Sequence, residues 1–188
     1  MSVGLADKAS DLSDATKLIL PGVGAFDHAI ELLTRTGMIK HLNRLVLVEK
    51  MPVLGVCVGM QLMSEYSEEG THDGLGWIPG ASVRKLSGVE SEHALSLPHM
   101  GWNDIFKITD SPLLQDIGKS ARFYFLHSYY FHVLERETIL AETQYGIRFP
   151  CVVNRGNIFA TQFHPEKSHI WGGRILRNFA TFRSNVAP

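Results

Sequence analysis

The feature that most constrains this chain is the run Met51-Pro-Val-Leu-Gly-Val-Cys-Val-Gly-Met-Gln-Leu-Met63. Pro52 has a fixed φ and no N–H, so it stops any helix before it. Val53 to Val56 are almost wholly apolar, as suits a strand buried on both faces. From Met60 the pattern predicts a helix, closed by Ser67-Glu-Glu-Gly70. Between strand and helix lies Gly55-Val-Cys-Val-Gly59, the G-x-nucleophile-x-G spacing of a nucleophile elbow, with Cys57 at the reactive position.

That chemistry needs small residues two before and two after the nucleophile, because the turn is tight. The turn lifts the sulfur out at the carboxyl end of the strand, over a helix N-terminus expected to favour thiolate. It also frees the Val58 N–H to hold an oxyanion. Taken alone, the stretch leaves two readings open: a nucleophile, or a buried structural Cys.

The 188 residues are 45% hydrophobic, enough to bury one core, and residues 1–188 are expected to form one domain. A net charge of −1 gives no basic excess for nucleic acid. Two cysteines, Cys57 and Cys151, make no disulfide framework and point to a reducing cytoplasm. Residues 1–8 show no secretory signal, and no apolar run approaches membrane-span length.

Lys17-Leu-Ile-Leu-Pro21 reads as a strand. It enters the glycine-rich turn Gly22-Val-Gly-Ala-Phe26, where bare N–H groups could meet an oxyanion or could form an ordinary strand–helix turn. A helix ended by Gly37 and a second over residues 38–48 follow, so the order predicts α/β architecture with a parallel sheet. His72 beside Asp73 lacks further ligands and reads as a solvated loop; no metal site is expected. Residues 82–86, 94–98 and 104–108 read as short strands of an antiparallel insertion. Met100 and Trp102 fall on a short loop there, as core or as a patch awaiting a partner. Ser111-Pro112 opens a short helix through Ile117. Residues 122–131 form an aromatic strand in which His127, Ser128 and Tyr129 could line a site. Residues 139–144, 150–154 and 158–163 are strands, the last two a hairpin turning at Asn154-Arg-Gly-Asn157. Cys151 reads as core. Ile175, Phe179 and Phe182 share one face of a final helix.

His164-Pro-Glu166 follows the last strand. Two residues apart in extended chain, His164 and Glu166 can point the same way, the His towards a nucleophile and the Glu on its second nitrogen.

Pro21-Gly-Val-Gly24, Gly55-Val-Cys-Val-Gly-Met-Gln61 and Gln162-Phe-His-Pro-Glu-Lys167, in that order, resemble the class I (triad) glutamine amidotransferases. With Ser67-Glu-Glu-Gly70, Pro98-His-Met-Gly-Trp-Asn103 and His127-Ser-Tyr129, the likeness covers about residues 11–183. It leans to the branch whose members serve a cyclase of histidine biosynthesis. The resemblance implies a three-layer, flavodoxin-like fold: a central, mostly parallel sheet with an antiparallel extension. It implies glutamine-amide hydrolysis with Cys57 as nucleophile, His164 as base and acid, and Glu166 as its orienter. Val58 and the loop residues Val23 and Gly24 would form the oxyanion hole. Gly22, Gln61, His127, Ser128 and Tyr129 would bind L-glutamine, without cofactor or metal.

The resemblance further implies a heterodimer with a (β/α)₈-barrel cyclase, met by Met100, Trp102, Asn103 and Lys167, and no nucleic-acid or membrane partner. Other branches supply ammonia for amino-sugar formation in surface polysaccharides, or bind without catalysis. Family members open with a strand and helix carrying an Asp-Tyr-Gly-x-Gly-Asn type turn. Residues 1–14 do not supply it, which predicts an exposed edge on the neighbouring strand.

Overall fold

The computed structural model describes residues 2–86 and 95–183. A 3-10 turn at Ala9–Leu12 leads to β1 (Leu18–Gly22), α1 (Phe26–Arg35) and α2 (Met38–Asn43), which continues as a π-helical turn at Arg44–Val48. The elbow is β2 (Val53–Cys57) and α3 (Val58–Gln61). Then follow β3 (Tyr66–Ser67), β4 (Ala81–Lys85), β5 (His99–Asp104), β6 (Phe106–Lys107), β7 (Arg122–His127) and β8 (Tyr129–Val133). β9 (Ile139–Tyr145), β10 (Ile147–Arg155), β11 (Ile158–Thr161) and α4 (His169–Thr181) close the chain.

Every residue of β2 is buried, as its unbroken apolar run requires. It lies between β1 and β11, parallel to both, in the order β1-β2-β11-β10-β9-β6. The outer strands extend this sheet antiparallel, starting with the predicted β10–β11 hairpin. Among the described residues β1 is an edge, where Pro21 can lack an N–H and Ile19 is exposed. Phe179 of the last helix and Phe182, which lies just past its end rather than on its face as expected, pack edge-on to Phe159 of β11. Lys17 Nζ donates to the Phe179 and Ala180 carbonyls, capping that helix.

Several local expectations are corrected. The helix after the elbow lasts one turn, because Glu65 and Glu68 donate their N–H groups to the Ala81 and Val83 carbonyls of β4. Met60, Leu62 and Met63 are buried all the same, which is why their spacing suggested a longer helix. Of the strand expected over 94–98, Ala94 lies outside the described residues and 95–98 are not in a strand. Met100 and Trp102 sit on β5, paired with β7, rather than on a loop. The aromatic run breaks at Ser128 into β7 and β8, which join different sheets. The helix at Ser111 is only the 3-10 turn Pro112–Leu114, capped by the Ser111 hydroxyl.

Candidate active site

β2 ends against β1, and the chain must reverse within one residue. Cys57 takes φ 53° and ψ −109°, a conformation that L-residues rarely hold without surrounding restraint. The glycines make room. A Cβ on Gly59 would lie 1.8 Å from the Leu20 carbonyl oxygen, and one on Gly55 2.8 Å from the Gly59 oxygen.

The elbow opens into a cavity of about 230 Å³ lined by Val23, Gly24, Cys57, Val58, Gln61, Glu69, Pro98, Leu126, His127, Ser128, Tyr129 and His164. The structure thus brings together most of the sequence-derived site residues. Gly22 is not among the lining residues; it packs beneath the elbow, where a Cβ would meet the Gly59 nitrogen at 2.6 Å.

The Cys57 thiol donates to the Leu126 carbonyl at 3.8 Å, and the Gln162 amide donates to its sulfur at 3.9 Å. Burial pushes this thiol up to about 12, with the Glu166 charge adding to the effect. The Val58 N–H, the Gln162 amide and the Lys167 charge oppose it and lose. The expectation of a thiolate favoured by a helix N-terminus is therefore corrected. A four-residue helix offers little dipole, and desolvation of the charged form outweighs it.

His164 is 2% exposed and is fixed on three sides. Its N–H donates to the Tyr124 carbonyl at 2.9 Å, and its carbonyl accepts from the Ser168 hydroxyl at 2.6 Å. Its Nδ1 lies 2.8 Å from Glu166 Oε1. A carboxylate only accepts, so Nδ1 carries the proton and Nε2 keeps the basic lone pair. No hydrogen bond joins His164 to Cys57, although both line the cavity.

Gln61 donates from Nε2 to the Tyr129 carbonyl at 2.9 Å. His127 lines the wall, but both ring nitrogens are engaged within the protein, with Tyr129 O at 2.8 Å and His99 at 3.1 Å. Burial, then the neighbouring His99, takes its pKa down to about 3, so it offers no cation. Sequence reasoning missed Glu69, Gln162 and His99. Glu69 Oε2 accepts the Phe26 N–H at 3.1 Å, and burial raises its carboxyl pKa. It was legible only as a polar residue closing a helix.

The four residues expected at a docking face differ in exposure. Met100 is 64% and Trp102 38% exposed. Lys167 is exposed, with its ammonium 5.8 Å from the Tyr124 ring, and Asn103 is half-buried. The Trp102 indole stacks on His169 at 5.0 Å. Among the described residues no cluster of three or more His, Cys, Asp or Glu is arranged to hold a metal, and no helix is long and apolar enough to cross a membrane.

The sequence profile described as "Glutamine amidotransferase class-I" matches residues 6–181. The imidazole glycerol phosphate synthase subunit HisH of Leptospira interrogans is 50% identical over 171 residues, 91% of this chain and 83% of that protein. The protein of the same name from Bdellovibrio bacteriovorus is 47% identical over 178 residues, 95% of this chain and 87% of the other. In fold, the chain is similar to a glutamine amidotransferase crystal structure, with TM-score 0.67, 22% identity and coverage of 93% and 82%. It is also similar to PurLQS from Thermotoga maritima, with TM-score 0.64, 16% identity and coverage of 95% and 83%.

Proposed function

Because the chain belongs to the class I glutamine amidotransferases, we propose that it is a glutaminase subunit, hydrolysing L-glutamine to L-glutamate and ammonia for the imidazole glycerol phosphate synthase of histidine biosynthesis. The single observation that carries the chemistry is one cavity holding a strained elbow cysteine and a histidine whose Nδ1 is taken by a carboxylate. The relatives named as HisH subunits support the pathway.

Glutamine enters amide first. His164 Nε2 takes the Cys57 thiol proton as the sulfur attacks the amide carbon. The oxyanion is held by the Val58 N–H and an N–H of the Val23–Gly24 loop. Imidazolium then protonates the departing nitrogen, ammonia leaves, and Cys57 is left as a γ-glutamyl thioester. Water, deprotonated by His164, attacks the thioester; glutamate departs and the thiol regains its proton. Gln61, Ser128 and Tyr129 line the substrate's path, and Glu69 faces its α-ammonium. That ammonium would offset the cost of burying the Glu69 charge.

The ammonia goes to a cyclase subunit with a (β/α)₈ barrel, docked over Met100, Trp102, Asn103 and Lys167 in a cytoplasmic heterodimer. A buried thiol that stays protonated supports low activity in the uncomplexed chain. The test is ammonia release by the chain mixed with its cyclase. Cys57→Ala should lose several orders of magnitude of rate, whereas Cys151→Ala should cost only packing. Wild-type turnover by Cys57→Ala refutes the assignment.

A further inference from the structure

We propose that His99 is a positioning residue for glutamine hydrolysis, fixing the cavity wall through a one-way chain of hydrogen bonds that begins at Asn103. This rests on the glutaminase reading and deepens it.

His99 opens β5 and is 3% exposed. Its ring is sandwiched between Phe125 at 4.7 Å and Tyr145 at 4.1 Å, both near parallel. An apolar residue would fill such a slot without the cost of burying two polar nitrogens. Here both nitrogens are used.

The direction of the chain follows from its far end. The Tyr129 carbonyl only accepts, and it takes His127 Nδ1 at 2.8 Å and Gln61 Nε2 at 2.9 Å. His127 Nδ1 is therefore N–H, and in the neutral ring Nε2 is an acceptor. His99 Nδ1 lies 3.1 Å from it and must be the donor. That leaves His99 Nε2 to accept from Asn103 Nδ2 at 3.2 Å. Asn103 gives its other amide hydrogen to the Gln144 carbonyl at 2.9 Å, and its Oδ1 accepts the Asp104 N–H at 2.8 Å. These bonds fix the Asn103 amide orientation, so reversing any link puts donor against donor. Burial, which lowers both imidazole pKa values, agrees with two neutral rings.

The chain ends at the link between β7 and β8. There the Leu126 carbonyl takes the Cys57 thiol and the Tyr129 carbonyl takes Gln61. At its other end Asn103 follows Trp102, which is 38% exposed. Displacing Asn103 would withdraw the donor from His99 and loosen the wall that positions sulfur and substrate.

The experiment compares His99→Phe, which keeps the stacking and loses both hydrogen bonds, with His99→Asn, whose amide nitrogen falls near Nδ1. In the complex with the cyclase, His99→Phe should raise the glutamine KM about tenfold at unchanged kcat. His99→Asn should recover most of the KM. Equal KM values for both variants, or a wild-type KM for His99→Phe, overturn the proposal. Long-range ¹H–¹⁵N spectra of the wild-type chain give a test that needs neither activity nor a folded variant. Both histidines should be neutral Nδ1–H tautomers at neutral pH, and an Nε2–H tautomer at either breaks the chain. A chain with these tautomers but no glutaminase activity would refute the functional reading and leave the hydrogen-bond chain standing.

Discussion

At Cys57 two influences oppose each other. The elbow exposes the sulfur to the Val58 N–H, while burial keeps the proton on it. Burial wins, so in the proposed mechanism reactivity depends on His164 Nε2, and His164 on Glu166 only for tautomer and charge. Glu166 is half exposed, 52% at its side chain, so solvent can take part of its role. Glu166→Gln should therefore lose less turnover than His164→Ala, measured as ammonia release at saturating glutamine. Negligible losses in both would remove the triad. That Cys57 and His164 share one cavity and that Glu166 meets His164 was legible, because the proposed chemistry fixes residue type and spacing within short segments. The protonation of Cys57 was not, since it reflects Leu126, Gln162 and the depth of the cavity. Nor were Glu69, whose partner Phe26 opens α1, and His99, whose ring meets His127 and Phe125 of β7 and Tyr145 of β9.

Among the elements, β2 was the most legible, because a strand buried on both faces leaves an unbroken apolar run. The β10–β11 hairpin was legible from its turn residues. The segment after α3 was misread because helix and sheet bury Met60, Leu62 and Met63 alike, and β4 decides between them by pairing with β3. The split of the aromatic run at Ser128 turns on which sheet each half joins, which no local pattern carries. β5 bears the clearest element-level test. It holds Trp102 against His169 and Tyr124 with over a third of the residue exposed. Trp102→Ala should leave the circular dichroism of the free chain unchanged and weaken cyclase binding by on the order of 2 kcal/mol or more. Calorimetric titration reads this. An unchanged dissociation constant, or a variant that unfolds alone, would return Trp102 to a core role.

Over the whole molecule, the three parallel strands β1, β2 and β11 bring three sequence-distant segments to one place. These are the Val23–Gly24 loop, the elbow and the His164 turn, each just past its strand's carboxyl end. The parallel arrangement was legible from the order of elements; the shape of the cavity was not, because β7 and β8 close it from another part of the chain. In the proposed reaction the amide carbon of glutamine bonds to the Cys57 sulfur. A diazo-ketone analogue of glutamine, added to the cyclase complex and followed by peptide mass spectrometry, tests it most directly. The expected result is one adduct, on Cys57, that excess glutamine prevents and that tracks the loss of ammonia release. An adduct on Cys151, or continued turnover with Cys57 fully modified, would contradict it.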